Sequence, residues 1–166
     1  MNSKRYERQI GLFGQEGQAK LKKARVAVVG VGGLGSHVAQ QLSFLGVGFL
    51  SFIDSDELEE HNLNRLIGAR FDDPIPGTKK VDIAQRLVKS IDPSIEVNPL
   101  PVELRTLEAF IEVKKADYIF GCVDNDGARL VLNEICCAYQ IPYIDLATDV
   151  LVEGYAFLLK KPIHNF

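Results

Sequence analysis

Four glycines, Gly30, Gly32, Gly33 and Gly35, stand between the apolar run Val26-Ala-Val-Val29 and a helical pattern. A side chain at those positions would keep the backbone away from a phosphate. The helix that follows offers unpaired N–H groups and a partial positive charge at its start. The segment is a nucleotide-binding turn. Asp54 follows Gly30 by 24 residues and ends a second apolar run. A carboxylate there can accept hydrogen bonds from both ribose hydroxyls. That arrangement suits a nicotinamide dinucleotide and ATP equally. Asp56 is either a second ribose contact or a solvated loop charge.

Three further groups break the tie. Asn62-Leu-Asn-Arg65 lies just past the second run, and Lys80 follows a Pro-Gly turn at the start of a helical pattern. Asp124-Asn125 follows another apolar run, with Arg129 one helical turn on. An arginine and a lysine beside the glycine loop match three phosphates better than two. A carboxylate among them can hold Mg²⁺, which prefers oxygen ligands and substrate phosphates. Single loop charges are common on any surface; their recurrence at successive strand ends points to a site. His37, His61 and His164 do not cluster with acidic or cysteine partners, and His37 reads as a packing or surface residue. There is no nucleophile elbow and no metal-ligand spacing.

The elements that must position these residues follow from periodicity. Helices are expected at 14–24, 33–45, 78–91, 107–114 and 127–139, with a short helical turn at 62–66. Strands are expected at 25–30, 49–54, 95–100, 117–122, 142–146 and 154–159, and a Pro-rich loop at 72–77. Strands alternating with helices give an α/β fold, a Rossmann-like doubly wound, mostly parallel sheet with helices on both faces. Ligands in such sheets sit beyond the carboxyl ends of the strands. That rule selects residues 30–35, 54–65 and 121–129. With 166 residues and 46% apolar composition the chain fits one domain with a real core. A net charge of −3 suggests no nucleic-acid surface. The N-terminus carries no signal-peptide core, and no apolar run reaches membrane-spanning length. The three cysteines, Cys122, Cys136 and Cys137, form no disulfide framework, which suits reduced thiols and a cytoplasmic location. The adjacent pair Cys136-Cys137 reads as buried small hydrophobes.

Taken in order, these pieces resemble the superfamily of sulfur-carrier and ubiquitin activating enzymes, the ThiF/MoeB/HesA-type adenylyltransferases. The resemblance runs from Arg5-Tyr-Glu-Arg-Gln-Ile10 through Glu16-Gly-Gln18, the glycine loop, Asp54-x-Asp56, Asn62-Leu-Asn-Arg65, Gly77-x-x-Lys80 and Val123-Asp124-Asn125 with Arg129, to about Gly154. It implies ATP-dependent adenylation of the C-terminal glycine of a small β-grasp carrier protein ending in Gly-Gly, with release of pyrophosphate. By position, Gly30, Gly32, Gly33, Gly35, Asp54, Asp56, Asn62 and Asn125 would bind the nucleotide. Arg65 and Lys80 would contact phosphates and Asp124 would hold Mg²⁺. Arg8 would be supplied in trans by the second subunit of a homodimer. Residues 1–24 would form an N-terminal helical segment carrying that arginine, and residues 25–166 the ATP-binding domain. The chain stops at Ile163-His-Asn-Phe166, before the family's C-terminal part, and is expected to be a fragment, for which ATP binding is better supported than turnover. Structural zinc is expected only if the missing part supplies the ligands. Neither nucleic acid nor membrane is an expected partner. Two alternatives stay open: a nicotinamide-dependent dehydrogenase domain, and a non-catalytic scaffold that retains the fold. The fate of the adenylate rests with the missing segment or the partner.

Overall fold

A computed structural model describes residues 3–151 and 154–160. His164 and the terminal Ile163-His-Asn-Phe166 lie outside the described residues. Six strands form one sheet: β1 (Arg25–Val29), β2 (Phe49–Ile53), β3 (Glu96–Leu100), β4 (Tyr118–Gly121), β5 (Tyr143–Leu151) and β6 (Gly154–Lys160). Their order is β3-β2-β1-β4-β5-β6. The first five run parallel, and β6 is antiparallel to β5. The expected doubly wound, mostly parallel sheet is the fold. Its order reverses between β1 and β4, the switch point at which such sheets leave a crevice.

Alternation along the strands divides the core in two. Val26, Val28, Leu50 and Phe52 pack with Ala39 and Leu42 of α2 (Gly33–Leu45) and Val81, Ala84 and Val88 of α3 (Lys80–Ile91). Ala27, Val29, Ile53 and Ile119 pack with Ala109 and Val113 of α4 (Leu107–Lys114) and Leu132 and Cys136 of α5 (Asp126–Tyr139). Apolar β-branched residues on both faces are what a strand covered by helices on both sides requires. Cys136 is buried as expected, but Cys137 is exposed. Adjacent helical residues point about 100° apart, so one layer cannot cover both.

Three elements differ from the sequence reading. Helix α1 spans Glu7–Lys23, with a kink at Gly14, whose φ of 74° breaks the helical geometry. The expected helix is the half beyond that kink. The turn expected at 62–66 is a single 3-10 turn, Glu60–Asn62. Strand β5 runs on to Leu151, because β6 pairs with its far half from Ala147↔Leu158 to Leu151↔Gly154. Tyr6, before α1, is buried against Gly46 and donates a hydrogen bond to Asp92 Oδ2 at 3.1 Å. Burial pushes the Asp92 carboxyl up, but hydrogen bonds from Ser94 and Tyr6 and the charge of Arg5 outweigh it and hold the group below its ordinary 3.8.

This bond pins the N-terminal segment to the end of α3. Tyr6→Phe should therefore lower the unfolding free energy at pH 7 by roughly 1.5–3 kcal/mol, the usual range for a bond to a charged group. The contribution of a carboxylate held low in the fold is present above 3.8 and is lost as pH falls through its folded value. Urea titrations should show the deficit of the variant closing over that acidic range, and a deficit that persists there would count against the pairing.

Candidate functional site

The loops that follow the carboxyl ends of the strands enclose a cleft of about 1280 Å³. The glycine loop forms its floor. Gly30 has a φ of 85°, and a Cβ there would lie 2.6 Å from the Cys122 carbonyl oxygen, so only glycine lets the β1 and β4 loops lie side by side. Asp54 fastens this loop to β2. Its Oδ2 accepts the Val31 N–H at 2.7 Å, and its Oδ1 accepts the Asp56 N–H at 2.9 Å. Burial raises the Asp54 carboxyl above its ordinary value of 3.8 even though both backbone bonds and the charge of Lys80 pull it down.

The cationic wall is built from two elements. Lys80, at the first position of α3, is nearly buried and lies 2.7 Å from Asp56 Oδ2. Asp56 is therefore an ion-pair partner rather than a free loop charge. Arg65 lies over the glycine loop, its Cδ and Cγ 3.2 Å from where a Gly33 Cβ would stand. Its Nη1 donates to the His61 carbonyl and to Asn64 Oδ1. Among the described residues no carboxylate pairs with Arg65. Asn62 is buried, and its Oδ1 accepts the Glu59 N–H at 3.1 Å, which fixes the turn carrying Arg65. On the opposite wall Asp124 is exposed at the end of β4. Asn125 caps α5, its Oδ1 accepting the Ala128 N–H at 2.8 Å.

The cleft thus gathers Gly30, Gly32, Gly33, Asp54, Asp56, Asn62, Arg65, Lys80, Asp124 and Asn125. Two of the expected residues are elsewhere. Gly35 is buried beneath the loop, where a Cβ would overlap the Gly30 carbonyl oxygen, so its contribution is close packing of α2 on β1. Arg8 lies on the first half of α1 and is exposed. Its neighbours Arg5 and Tyr6 bond to Ile91 and Asp92 at the end of α3. The cleft lies at the start of that 12-residue helix, about 18 Å away along its axis.

Residues not foreseen also line the cleft. His37 is a surface residue, as read, but at the cleft rim, its Nδ1 2.7 Å from the Gly33 carbonyl oxygen. Arg105 lies past β3, its Nη2 3.3 Å from where a Gly127 Cβ would stand, with no acidic partner among the described residues. Thr148 reaches the cleft from β5. The strand-end rule, extended past β3, was the signal that could have found Arg105; His37, on α2, and Thr148, inside β5, carried no such signal. Cys122 lines the cleft as well; burial and the charge of Asp145 push its thiol up to about 12, so it stays protonated at neutral pH and acts as an apolar wall. The combination is one for a polyanion with a sugar attached: a glycine floor that admits close approach, a wall that carries Lys80 and Arg65, and the carboxylates Asp54 and Asp124.

Comparison with known proteins accords with this geometry. The model of the ThiF family matches residues 6–162. The SAMP-activating enzyme E1 of Haloferax volcanii is 35% identical over 142 residues, covering 84% of this chain and 52% of that protein. The molybdopterin-synthase adenylyltransferase of Escherichia coli K12 is 36% identical over 152 residues, covering 90% of this chain and 60% of the relative. The crystal structure of the E. coli tRNA N6-threonylcarbamoyladenosine dehydratase TcdA in complex with ATP superposes with a TM-score of 0.77 at 25% identity, covering 86% of this chain and 58% of that one. The chain therefore spans between half and two thirds of the length of these proteins.

The two differently placed carboxylates should titrate apart in the ligand-free protein. Asp54 should show a midpoint above 3.8, and Asp73, held low chiefly by its hydrogen bonds from Arg86, a midpoint below it. Carbon-detected NMR of the carboxyl groups reads both, and the reverse order would refute the described loop geometry.

Proposed function

The chain belongs to the ThiF family, and we propose that its cleft binds ATP with Mg²⁺ for adenylation of the C-terminal glycine of a small ubiquitin-like or sulfur-carrier protein. The observation that carries this reading is the convergence of the glycine loop, Asp54, Arg65, Lys80 and Asp124 in one cleft. A dinucleotide dehydrogenase would use the glycines and Asp54 but has no evident task for the two cations and Asp124. A scaffold would need none of the charge set. The relatives named as adenylyltransferase and activating enzyme, and the ATP held by the dehydratase, support the same choice.

In this reading Gly30, Gly32 and Gly33 let the triphosphate approach the backbone, and Asp54 takes the ribose hydroxyls on its remaining lone pairs. Arg65 and Lys80 face the phosphates, and Asn62 holds the turn that aims Arg65. The carboxylate of the carrier's last glycine attacks the α-phosphorus. The bond from that phosphorus to the bridging oxygen breaks, giving an acyl-adenylate and pyrophosphate. No general base is needed, since the attacking carboxylate is already ionised. Negative charge grows on the α-phosphate and the leaving group, and fixed cations stabilise it without reorganisation. Mg²⁺ prefers oxygen ligands and needs only one or two carboxylates from a protein, and the exposed Asp124 is the residue that would hold it. When bound, the ion neutralises phosphate charge.

Arg8, a helix length from its own cleft, acts in the cleft of the second subunit of a homodimer. Residues 1–24 serve as the segment that carries it, and residues 25–166 as the nucleotide-binding domain. A carrier ending in Gly-Gly fits because a side chain at the last residue would hinder approach to phosphorus. Three free thiols suit a cytoplasmic location. Among the described residues no helix is long and apolar enough to cross a membrane, and no cluster of three His, Cys, Asp or Glu suggests zinc.

Calorimetry with Mg-ATP and with NADH separates the main readings: ATP should bind, NADH should not, and Asp54→Ala should lower ATP affinity about tenfold or more. NADH binding unaffected by ATP would favour the dehydrogenase. In the full-length protein supplied with its carrier, Arg8→Ala and Lys80→Ala should each suppress ATP–pyrophosphate exchange. Mixing the two variants should restore part of it, because a mixed dimer holds one intact site. No recovery on mixing would remove the trans role of Arg8.

A further inference from the structure

Arg129 belongs to the sequence pattern around Asp124 but has no part in the reaction as described. It occupies the first turn of α5, where a cation opposes the helix dipole. Three contacts account for its place. Its Nη2 donates to the Val123 carbonyl at 3.0 Å, its Nε lies 3.6 Å from Asp145 Oδ1, and its Nη1 lies 3.7 Å from the exposed Asp126. The Nε is buried with no hydrogen-bond partner, so the Asp145 charge is what offsets its desolvation. Asp145 is itself held. It is three-quarters or more buried, and its Oδ1 accepts the Tyr143 hydroxyl at 3.2 Å. That hydroxyl fits only because Gly121, the register partner of Asp145 on β4, has no side chain.

We propose that Arg129 is a positioning residue: oriented by Asp145, it holds the Val123 carbonyl and so fixes the loop that presents Asp124 to the cleft. The planar guanidinium suits this task, since one face of its fork reaches the β5 carboxylate while the other reaches the β4 loop. Asn125 anchors the same loop from the other side by capping α5. Asp124 is exposed, and among the described residues its only side-chain hydrogen bond comes from its neighbour Asn125, at 3.4 Å. The chain of contacts Tyr143–Asp145–Arg129–Val123 therefore carries the rigidity of the sheet into the loop that bears Asp124. This inference rests on the reading that Asp124 is the magnesium ligand, and the two separate experimentally.

The test uses the full-length protein and two readouts. In the nucleotide-free state, amide hydrogen exchange over residues 121–129 should quicken in both Arg129→Gln and Asp145→Asn, with the melting profile intact. In titrations with ATP, each variant should bind about tenfold more weakly than the parent when Mg²⁺ is present and less than about twofold more weakly in EDTA, as expected of a group that orients a metal ligand. The double variant should be no worse than the weaker single one. Unchanged exchange, or equal loss of affinity with and without Mg²⁺, overturns the positioning role. Arg129→Lys, which keeps the charge but cannot span both partners, replaces Arg129→Gln if the latter does not fold. Asp124→Asn reports on the metal reading alone: magnesium dependence that survives in it refutes that reading without altering the exchange result.

Discussion

The hydrogen bond from the Val31 N–H to Asp54 is the constraint on which the cleft depends. It ties the turn after β1 to the end of β2, and the same carboxylate turns the chain at Asp56 toward the Lys80 pair. One side chain therefore sets the floor and begins the cationic wall. The cost is a carboxylate largely withdrawn from water, which raises its pKa above the ordinary value. Two short backbone bonds to an ionised acceptor are strong enough to hold it there. A group that is structurally committed in this way still has free lone pairs, so it can hold a loop and receive a ligand at once.

The cations of the cleft fall into two kinds. Lys80 and Arg129 are paired with Asp56 and Asp145 and have settled positions. Arg65 and Arg105 have no acidic partner among the described residues. Paired cations give little net attraction at a distance but need little rearrangement when a charge develops beside them. Unpaired ones attract an anion from solution. The cleft holds both kinds, on facing walls, which suits a ligand whose charge must be drawn in and then redistributed.

The arrangement of strands and helices was readable because the central strands β1 and β2 are apolar on both faces and helices end on recognisable residues, such as Gly46 past α2. The glycine loop, Asp54, Arg65, Lys80 and Asp124 were readable because strand ends converge in this kind of sheet. Arg105 and Thr148 were not, because Arg105 follows β3 where no glycine marks a turn, and Thr148 lies in the part of β5 that extends only by pairing with β6. Gly35 was misplaced for a related reason: glycine needed for a ligand and glycine needed for packing look alike in a sequence, and only the overlap with the Gly30 carbonyl separates them. The length of β5 depends on its antiparallel pairing with β6, the next strand in the chain, and no local pattern in Ala-Thr-Asp-Val announces it.

Strand β3 lies at one edge of the sheet and contains Pro99. The Glu96 N–H and the Leu100 carbonyl both bond toward the β2 side, to Gly48 and from Asp54. Alternation then turns the Pro99 nitrogen outward, to the open edge, where it has no hydrogen to donate. An incoming strand would find a break in the ladder at that residue. The sheet is thus closed to growth along its β3 edge, where a further strand could not continue the ladder past Pro99.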